Sequence, residues 1–434
     1  MSDLESQDEN LIHPSDSFDP ADSVETASDS DDLEWIRKNK EHCSESGYSS
    51  SESSIDFFDP IPERTLEQEQ SSEKPYLSLA EENYFAACAT PSDINEHLPT
   101  LYHFSKKCKS VCEFGVRDAN STWAFLMGLR NNNSSEKLLL GVDLIRSPMI
   151  EKVGATAVES DITFRFVEKN DLDLDLKEPI DLLFIDTWHN AGQLSRELEK
   201  HATHVTKYII MHDTSADGET GESVRISNII QKPWADQDQF YTTLDNLQLK
   251  EHARAFYIDS LSEPSSGFDY SQVPSSFDWK IYMLCNPDID VSNSLEAIQH
   301  YIRSGKYESR CFSLRFDLLP KDFHWRDYLA LNRDLFDAGV NTKSLAIRHY
   351  LEYGSKEDRC CSKIDYMDRM QEKYGFLALS IQEQSELWGI PEDEIKRGLK
   401  YAISEFLVSN AADWKLYREY DNNNGLTVLK RVVP

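Results

Sequence analysis

Glycine and cysteine are both scarce, and neither is arranged for the chemistry it most often marks. The 434 residues include 16 glycines, and none fall in the Gly-x-Gly-x-x-Gly spacing that lets a backbone wrap a dinucleotide pyrophosphate, which argues against a nicotinamide enzyme. The eight cysteines form no Cys-x-x-Cys pair, and the neighbours Cys360 and Cys361 lack a metal-site pattern. Free thiols in a reducing, cytoplasmic setting are therefore expected. Positive charge is also short: 45 Lys and Arg stand against 77 Asp and Glu, a formal charge of −32. That balance disfavours a phosphate-backbone binder, so no nucleic-acid partner is expected. No apolar run reaches the roughly 20 residues of a membrane span, and the first residues lack the basic region and apolar core of a signal peptide.

Half of the negative charge sits at one end. Residues 1–75 hold 21 acidic and 5 basic side chains, many serines and few large apolar residues. Such a segment cannot bury enough surface to offset its chain entropy, and it is expected to be disordered. Within it Ser28 and Ser30 lie among Asp29, Asp31, Asp32 and Glu34, a setting that acidophilic kinases favour, where phosphates would add to the charge. At 39% hydrophobic, the chain as a whole has room for two to three domains and a sizeable core.

What is present is a series of apolar runs that end in polar residues. The stretch from Ser110 reads as a buried strand leading through an acidic turn into a helix, with Glu113 and Gly115 at the strand's carboxyl end. Ser121 and Thr122 are placed to cap that helix, and Trp123, Phe125, Leu126 and Leu129 supply its apolar positions. Leu138–Val142 ends in Asp143, where a doubly wound sheet sets a carboxylate against ribose hydroxyls. Ile162–Val167 is followed by Asn170 and Asp171, Ile180–Ile185 by Asp186-Thr187-Trp188-His189, and Tyr208–Met211 by His212-Asp213-Thr214. Open α/β sheets bind ligands at such strand ends.

The segment from about Leu101 to Asp217 resembles class I methyltransferases dependent on S-adenosylmethionine. Within that superfamily it is most similar to metal-assisted O-methyltransferases and the relatives known as cephalosporin-hydroxylase-like proteins. Glu113-x-Gly115 with Ser121-Thr122 resembles the first cofactor motif, and Asp186-Thr187-Trp188-His189 resembles the Asp-x-x-His signature after the fourth strand. The family often has glycine where this chain has Ala119 or Asn120, a departure at the place where backbone approaches the cofactor. The resemblance implies S-adenosylmethionine as cofactor, bound through Glu113, Gly115, Ser121, Asp143, Asn170 and Asp171. It also implies Mg²⁺ held by Asp186 and Asp213 and His189 as general base; Thr214 could supply a further oxygen ligand, with His212 and Asp217 also within sequence reach. The chemistry suits those residue types: carboxylates on adjacent strand ends can share one hard cation, which would acidify an acceptor hydroxyl, and a histidine three residues on can take its proton. The alternatives stay open. Asp186 and Asp213 could cap the turns after their strands, His189 could cap or pack at a helix start, and Asp171-Leu-Asp-Leu-Asp could be a solvated loop. Glu113 and Asp143 are the firmer assignments, because an acid at the end of a buried strand is costly unless it meets a ligand or donor.

A second pattern interrupts the first. Phe277-x-Trp279, Tyr282, Asn286-x-Asp288, Ala297-Ile298-x-His300-Tyr301, Gly305 and Arg310 recur as Phe323-x-Trp325, Tyr328, Asn332-x-Asp334, Ala346-Ile347-x-His349-Tyr350, Gly354 and Arg359. The spacing implies two copies of a small helical unit, 277–310 and 323–359, expected to bury their aromatics together. Trp279, Trp325, His300 and His349 read as core. The units resemble short repeats found beside glycosyltransferases and related enzymes in large DNA viruses and some bacteria, which hints at such an origin and supplies no chemistry. Beyond them Ile395–Val408 has the spacing of an amphipathic helix, and Trp414–Tyr420 and Leu426–Val433 read as strands joined by an Asn-Gly turn. This tail resembles the final helix and strands of the same enzyme family.

The expected organisation is a disordered tail (1–75) and one doubly wound α/β domain with seven strands and an antiparallel final hairpin (78–225 and 375–434). An all-α insertion, 226–374, divides that domain. The leading function is O-methylation of a small hydroxylated molecule or a sugar. The competing one is a non-catalytic interaction protein that keeps the fold and uses the insertion and tail to bind a protein partner. No membrane partner is expected. An iron hydroxylase is disfavoured, since no clear His-x-Asp triad is present.

Overall fold

The computed structural model describes residues 77–260, 270–291 and 293–432; the acidic segment 1–75, with Ser28 and Ser30, lies outside them. Seven strands form one sheet in the order β3-β2-β1-β4-β5-β7-β6. They are β1 Ser110–Phe114, β2 Leu138–Asp143, β3 Thr163–Glu168, β4 Ile180–Ile185, β5 Val205–His212, β6 Trp414–Tyr420 and β7 Leu426–Arg431. β1 to β5 run parallel, whereas β7 is inserted antiparallel between β5 and β6. β1 and β4 are buried along their whole length, as near-continuous apolar strands covered on both faces must be.

Two cores flank the sheet. One joins Val111, Leu182, Phe184 and Ile210 to the helices Leu79–Ala89, Leu98–Ser105 and Asn120–Arg130. The other joins Cys112, Phe114, Leu183 and Ile209 to the helices Ala191–His201 and Leu399–Ser409. The order of strands reverses between β1 and β4, and the crevice outside their carboxyl ends is where such sheets bind ligands. Gly115 makes the junction possible. Its φ is +81°, and a Cβ there would lie 1.9 Å from the Asp186 carbonyl oxygen, so no side chain fits between the two strand ends.

The amphipathic pattern at Ile395–Val408 is one helix in sequence and two in structure, Glu392–Lys396 and Leu399–Ser409. The break has a cause in hydrogen bonding. Gly398 N–H donates to the Glu219 carbonyl at 3.1 Å, Leu399 N–H to Asp217 at 3.0 Å, and Arg397 accepts from Ala191 N–H at 2.9 Å. Backbone groups that would continue the helix are spent on the loops after β4 and β5. Gly398 permits this contact, since a Cβ there would meet the Gly218 carbonyl at 2.3 Å.

Each repeat carries its own core. Tyr282, Met283, Ala297 and Tyr301 form one; Trp325, Tyr328, Leu329, Ala346 and Tyr350 form the other, together with Trp234, Phe240 and Leu244. The aromatics are therefore not pooled between the copies. The second copy packs instead on the chain entering the insertion, and Arg348 reaches across to the Cys285 carbonyl at 2.7 Å. The repeated positions have internal uses. Tyr282 pairs with His300 at 2.7 Å and Tyr328 with His349 at 2.8 Å. Asn286 and Asn332 each bridge two backbone carbonyls, and Arg310 and Arg359 pair with Asp288 and Asp334. At Gly354 a Cβ would lie 2.2 Å from the Tyr328 hydroxyl. Gly354→Ala is thus expected to destabilise the insertion by about 1–3 kcal/mol through overpacking, with the sheet's own unfolding unchanged; hydrogen exchange resolved by segment checks this. Among the described residues no helix is long and apolar enough to cross a membrane.

Candidate active site

A cavity of about 550 Å³ opens at the carboxyl ends of β1 to β4, within the size range of small-molecule sites. Gly115, Asp143, Asn170, Asp171 and Asp186 all line it. The fold thus brings five of the strand-end residues to one space. The Asp143 carboxylate accepts backbone N–H groups of Val116 and Arg117 at 2.8 and 2.9 Å and of Ile145 at 3.1 Å, so it is fixed in place and braces the turn after β1. That turn is strained. Gly115, Arg117 and Ala119 all have positive φ, and for the two non-glycine residues the left-handed region costs roughly 1–2 kcal/mol each. Ala119 stands where the family resemblance leads one to expect glycine, and its backbone takes the conformation glycine favours.

Glu113, Ser121 and Thr122 do not reach the cavity; they serve one another. Ser121 and Thr122 hydroxyls donate to the two oxygens of Glu113 at 2.5 and 2.7 Å, and the helix Asn120–Arg130 has no side-chain cap. Neither caps the helix, because it starts at Asn120 with Ala119 at the cap position, which puts Ser121 and Thr122 inside its first turn. Burial pushes the Glu113 pKa up to about 8, with the two hydroxyls pulling the other way. Asn170 accepts from Leu172 N–H at 2.8 Å. Asp171 is buried beneath the cavity beside Glu197, and each has one oxygen without a hydrogen-bond donor. Burial raises both carboxyls, Glu197 the more, with Asp171 adding to it; the two are arranged to share a proton.

Beside the cavity lies a ring of carboxylates around two imidazoles. His189 Nε2 is 3.2 Å from both Asp186 Oδ1 and Asp213 Oδ2, and its Nδ1 is 3.1 Å from Asp217 Oδ2. His212 Nδ1 is 2.9 Å from Asp213. Asp213 adopts a left-handed φ of +57°, an unusual conformation that functional sites often hold. Burial by itself would lower the His189 pKa, but Asp213, Asp186 and Asp217 outweigh it and hold the ring well above the usual imidazole range. His212 is likewise raised to about 10, burial being overcome by Asp186 and Asp213. Burial pushes the Asp186 carboxyl up, yet His212 and His189 together hold it well below the usual carboxylate range. His189 sits in the loop ahead of the helix Ala191–His201, whose cap is Asn190. With both nitrogens facing carboxylates it is an imidazolium at neutral pH, and it becomes a base only if a cation takes over its charge.

Asp186, His189 and Asp213 each offer a ligand atom, all within 4.8 Å of one another. The two carboxylate oxygens are donors that suit a hard divalent ion, with the His189 ring beside them. The Thr214 hydroxyl accepts from Thr427 on β7 at 3.0 Å. One wall of the cavity had no signal in the sequence motifs. Phe376, Leu377 and Trp388, from the chain returning past the insertion, line it too, with Phe376 packed between Trp188 and Trp388.

Parallel β1 to β5, reversal between β1 and β4, and an antiparallel β7 inside the edge strand β6 decide the topology. The fold is that of a class I methyltransferase. No protein-family model matches the sequence, and no curated protein matches it. Among solved structures the chain is similar to the SAH-bound methyltransferase of Podospora anserina at 13% identity, over 47% of this chain and 77% of that one, with a TM-score of 0.27. It is similar to the SAH complex of an O-methyltransferase from Bacillus cereus at 17% identity, over 34% and 71%, with a TM-score of 0.25. It is also similar to a TDP-rhamnose 3'-O-methyltransferase of calicheamicin biosynthesis at 15% identity, over 32% and 80%, with a TM-score of 0.24. The fold assignment stands on the strand order.

Proposed function

We propose that this protein is an S-adenosylmethionine-dependent methyltransferase that methylates a hydroxyl group of a small molecule or sugar with the help of a divalent cation. The observation that carries the reading is the convergence of Gly115, Asp143, Asn170, Asp171 and Asp186 on one cavity at the point where the strand order reverses. A nucleoside cofactor fits this lining: Asp143 is a fixed acceptor for ribose hydroxyls, Val142, Leu144 and Ile145 supply apolar surface beside it, and Asp171 stands at the end of β3. The sulfonium would supply the methyl group and the cation would acidify the acceptor hydroxyl. The chain's own part is positional. Asp186 and Asp213 would hold the cation beside the cavity, and His189, once relieved of its charge-balancing role, would take the acceptor's proton.

Calorimetric titration of the full chain with S-adenosylmethionine, with and without Mg²⁺, tests the proposal. Saturable binding at one site is expected. A protein that keeps the fold only as an interaction scaffold would bind neither.

A further inference from the structure

The far edge of the sheet carries charge of the scarce sign. β6 is an edge strand, and Lys415 and Lys430 face each other directly across β6 and β7. A like-charge pair in that position is destabilising, and an anion laid against it would remove the cost. Lys430 Nζ lies 5.1 Å and the Arg418 guanidinium 5.5 Å from the centroid of one ring, Tyr417. None of these three cations is within ion-pair distance of a carboxylate among the described residues, and Leu416 and Tyr417 are both exposed. In a chain with 77 acidic and 45 basic side chains, this is an unbalanced positive face with an aromatic centre.

Charge decides what can cover it. A second copy of the strand would set Lys415 and Arg418 against their own equivalents, and lysines on edge strands commonly serve to prevent that pairing. An acidic segment fits instead, and this chain supplies one. Asp29, Asp31, Asp32 and Glu34 are followed at once by Trp35 and Ile36, so anions and an aromatic ring come in one short stretch. The distance is also suitable. The described residues begin at Leu77, just ahead of the helix Leu79–Ala89. Tyr84 of that helix meets Tyr102 at 5.7 Å, and Phe104, one turn-mate of Tyr102 on the helix Leu98–Ser105, meets Tyr417 at 6.1 Å. One helix therefore separates the entry of the chain from the positive face. The 40 residues between Ile36 and Leu77 correspond to an end-to-end distance of roughly 35 Å for a random coil, and tethering of this kind gives a local concentration on the order of millimolar. Individually weak, exposed ion pairs suffice at that concentration.

We propose that residues 29–36 of the same chain dock on the face of the β6–β7 hairpin formed by Lys415, Tyr417, Arg418 and Lys430. The acids of the segment balance the three cations, and Trp35 covers the exposed part of Tyr417 and Leu416. This inference is independent of the methyltransferase reading. Lys430 pairs with Tyr208, towards the amino end of β5, whereas the cavity opens at the carboxyl ends of the strands. Docking there leaves the cavity open.

The test uses the full chain. A zero-length carbodiimide, which joins an amine to a carboxylate only where the two touch, is applied and the products are mapped by mass spectrometry. Cross-links from Lys415 or Lys430 to residues 29–34 are expected within single chains, at a yield that does not change with protein concentration. Raising the salt from about 0.1 M to about 1 M, which shortens the screening length from about 10 Å to about 3 Å, is expected to lower that yield at least roughly fivefold. A second measurement avoids amine chemistry: the amide resonances of residues 29–36 are compared between the parent and Lys415→Gln/Lys430→Gln, and they are expected to move. The melting temperature checks the fold of the variant, and Lys415→Gln alone, at an exposed position, takes its place if the double variant does not fold. Cross-links found only between chains would put a second copy on this face and overturn the proposal. The absence of any cross-link from these lysines to residues 29–34, or unchanged resonances in a folded variant, would overturn it equally.

Discussion

The double variant Asp186→Ala/Asp213→Ala is expected to lose binding of Mg²⁺ and Mn²⁺ and to slow methyl transfer by roughly three orders of magnitude. A bound cation contributes several kcal/mol to stabilising charge at the reacting oxygen, and about 1.4 kcal/mol corresponds to tenfold in rate. The two carboxylates supply the oxygen ligands of the donor set described above. Their positions at the ends of β4 and β5 follow from the sheet, so their removal takes away ligands without disturbing the strands. The cation titration needs no knowledge of the acceptor and can be done first. Identical titrations for the parent and the double variant would show that the carboxylates serve only to hold His189 and His212.

The second large effect is expected at His189, and it depends on the cation. The ring sits against Asp186, Asp213 and Asp217, and its positive charge balances theirs. Removing one partner from a buried ionic group is costly, typically about 3–5 kcal/mol. His189→Ala should therefore melt well below the parent in the presence of a chelator, and Mn²⁺ should restore most of the loss, because the ion replaces the missing charge. The sign of the pH dependence follows from the same geometry. A histidine whose folded pKa is raised contributes stability that is complete below its unfolded pKa, about 6.5, and is lost as pH rises through the folded value. For the parent without cation, stability should fall on the alkaline side, and His189→Ala should show less of that fall. A loss that Mn²⁺ does not repair would make His189 a packing residue.

Much of the fold was legible because parallel strands are local features. Each is a short apolar run that ends in a polar residue, and the runs at Leu138 and Ile180 match β2 and β4 to within a residue. Placing Asp143, Asn170, Asp171 and Asp186 at the cavity required only knowing which end of each strand they occupy. What was not legible depends on partners distant in sequence. Ser121 and Thr122 look like helix caps until the helix is seen to start before them, at Asn120, with both hydroxyls turned to Glu113. The partner of the Thr214 hydroxyl, Thr427, lies 213 residues further along the chain. The helix pattern from Ile395 breaks at Arg397 because loops from residues 191 and 219 claim its backbone. Phe376, Leu377 and Trp388 carry no motif, and they enter the site only because the chain comes back past the insertion to close the cavity.

The cavity at the β1–β4 junction is expected to bind the adenosyl cofactor, and a change at Asp143 tests this. Asp143 lines the cavity at the end of β2. Equilibrium binding of S-adenosylmethionine to the full chain and to Asp143→Ala, with the melting temperature of each as the check on folding, decides the matter. Saturable binding to the parent and at least a roughly tenfold loss in the variant, the equivalent of about 1.4 kcal/mol, are expected, with the variant still folded. Equal affinity in two folded proteins, or no binding to the parent, would contradict it.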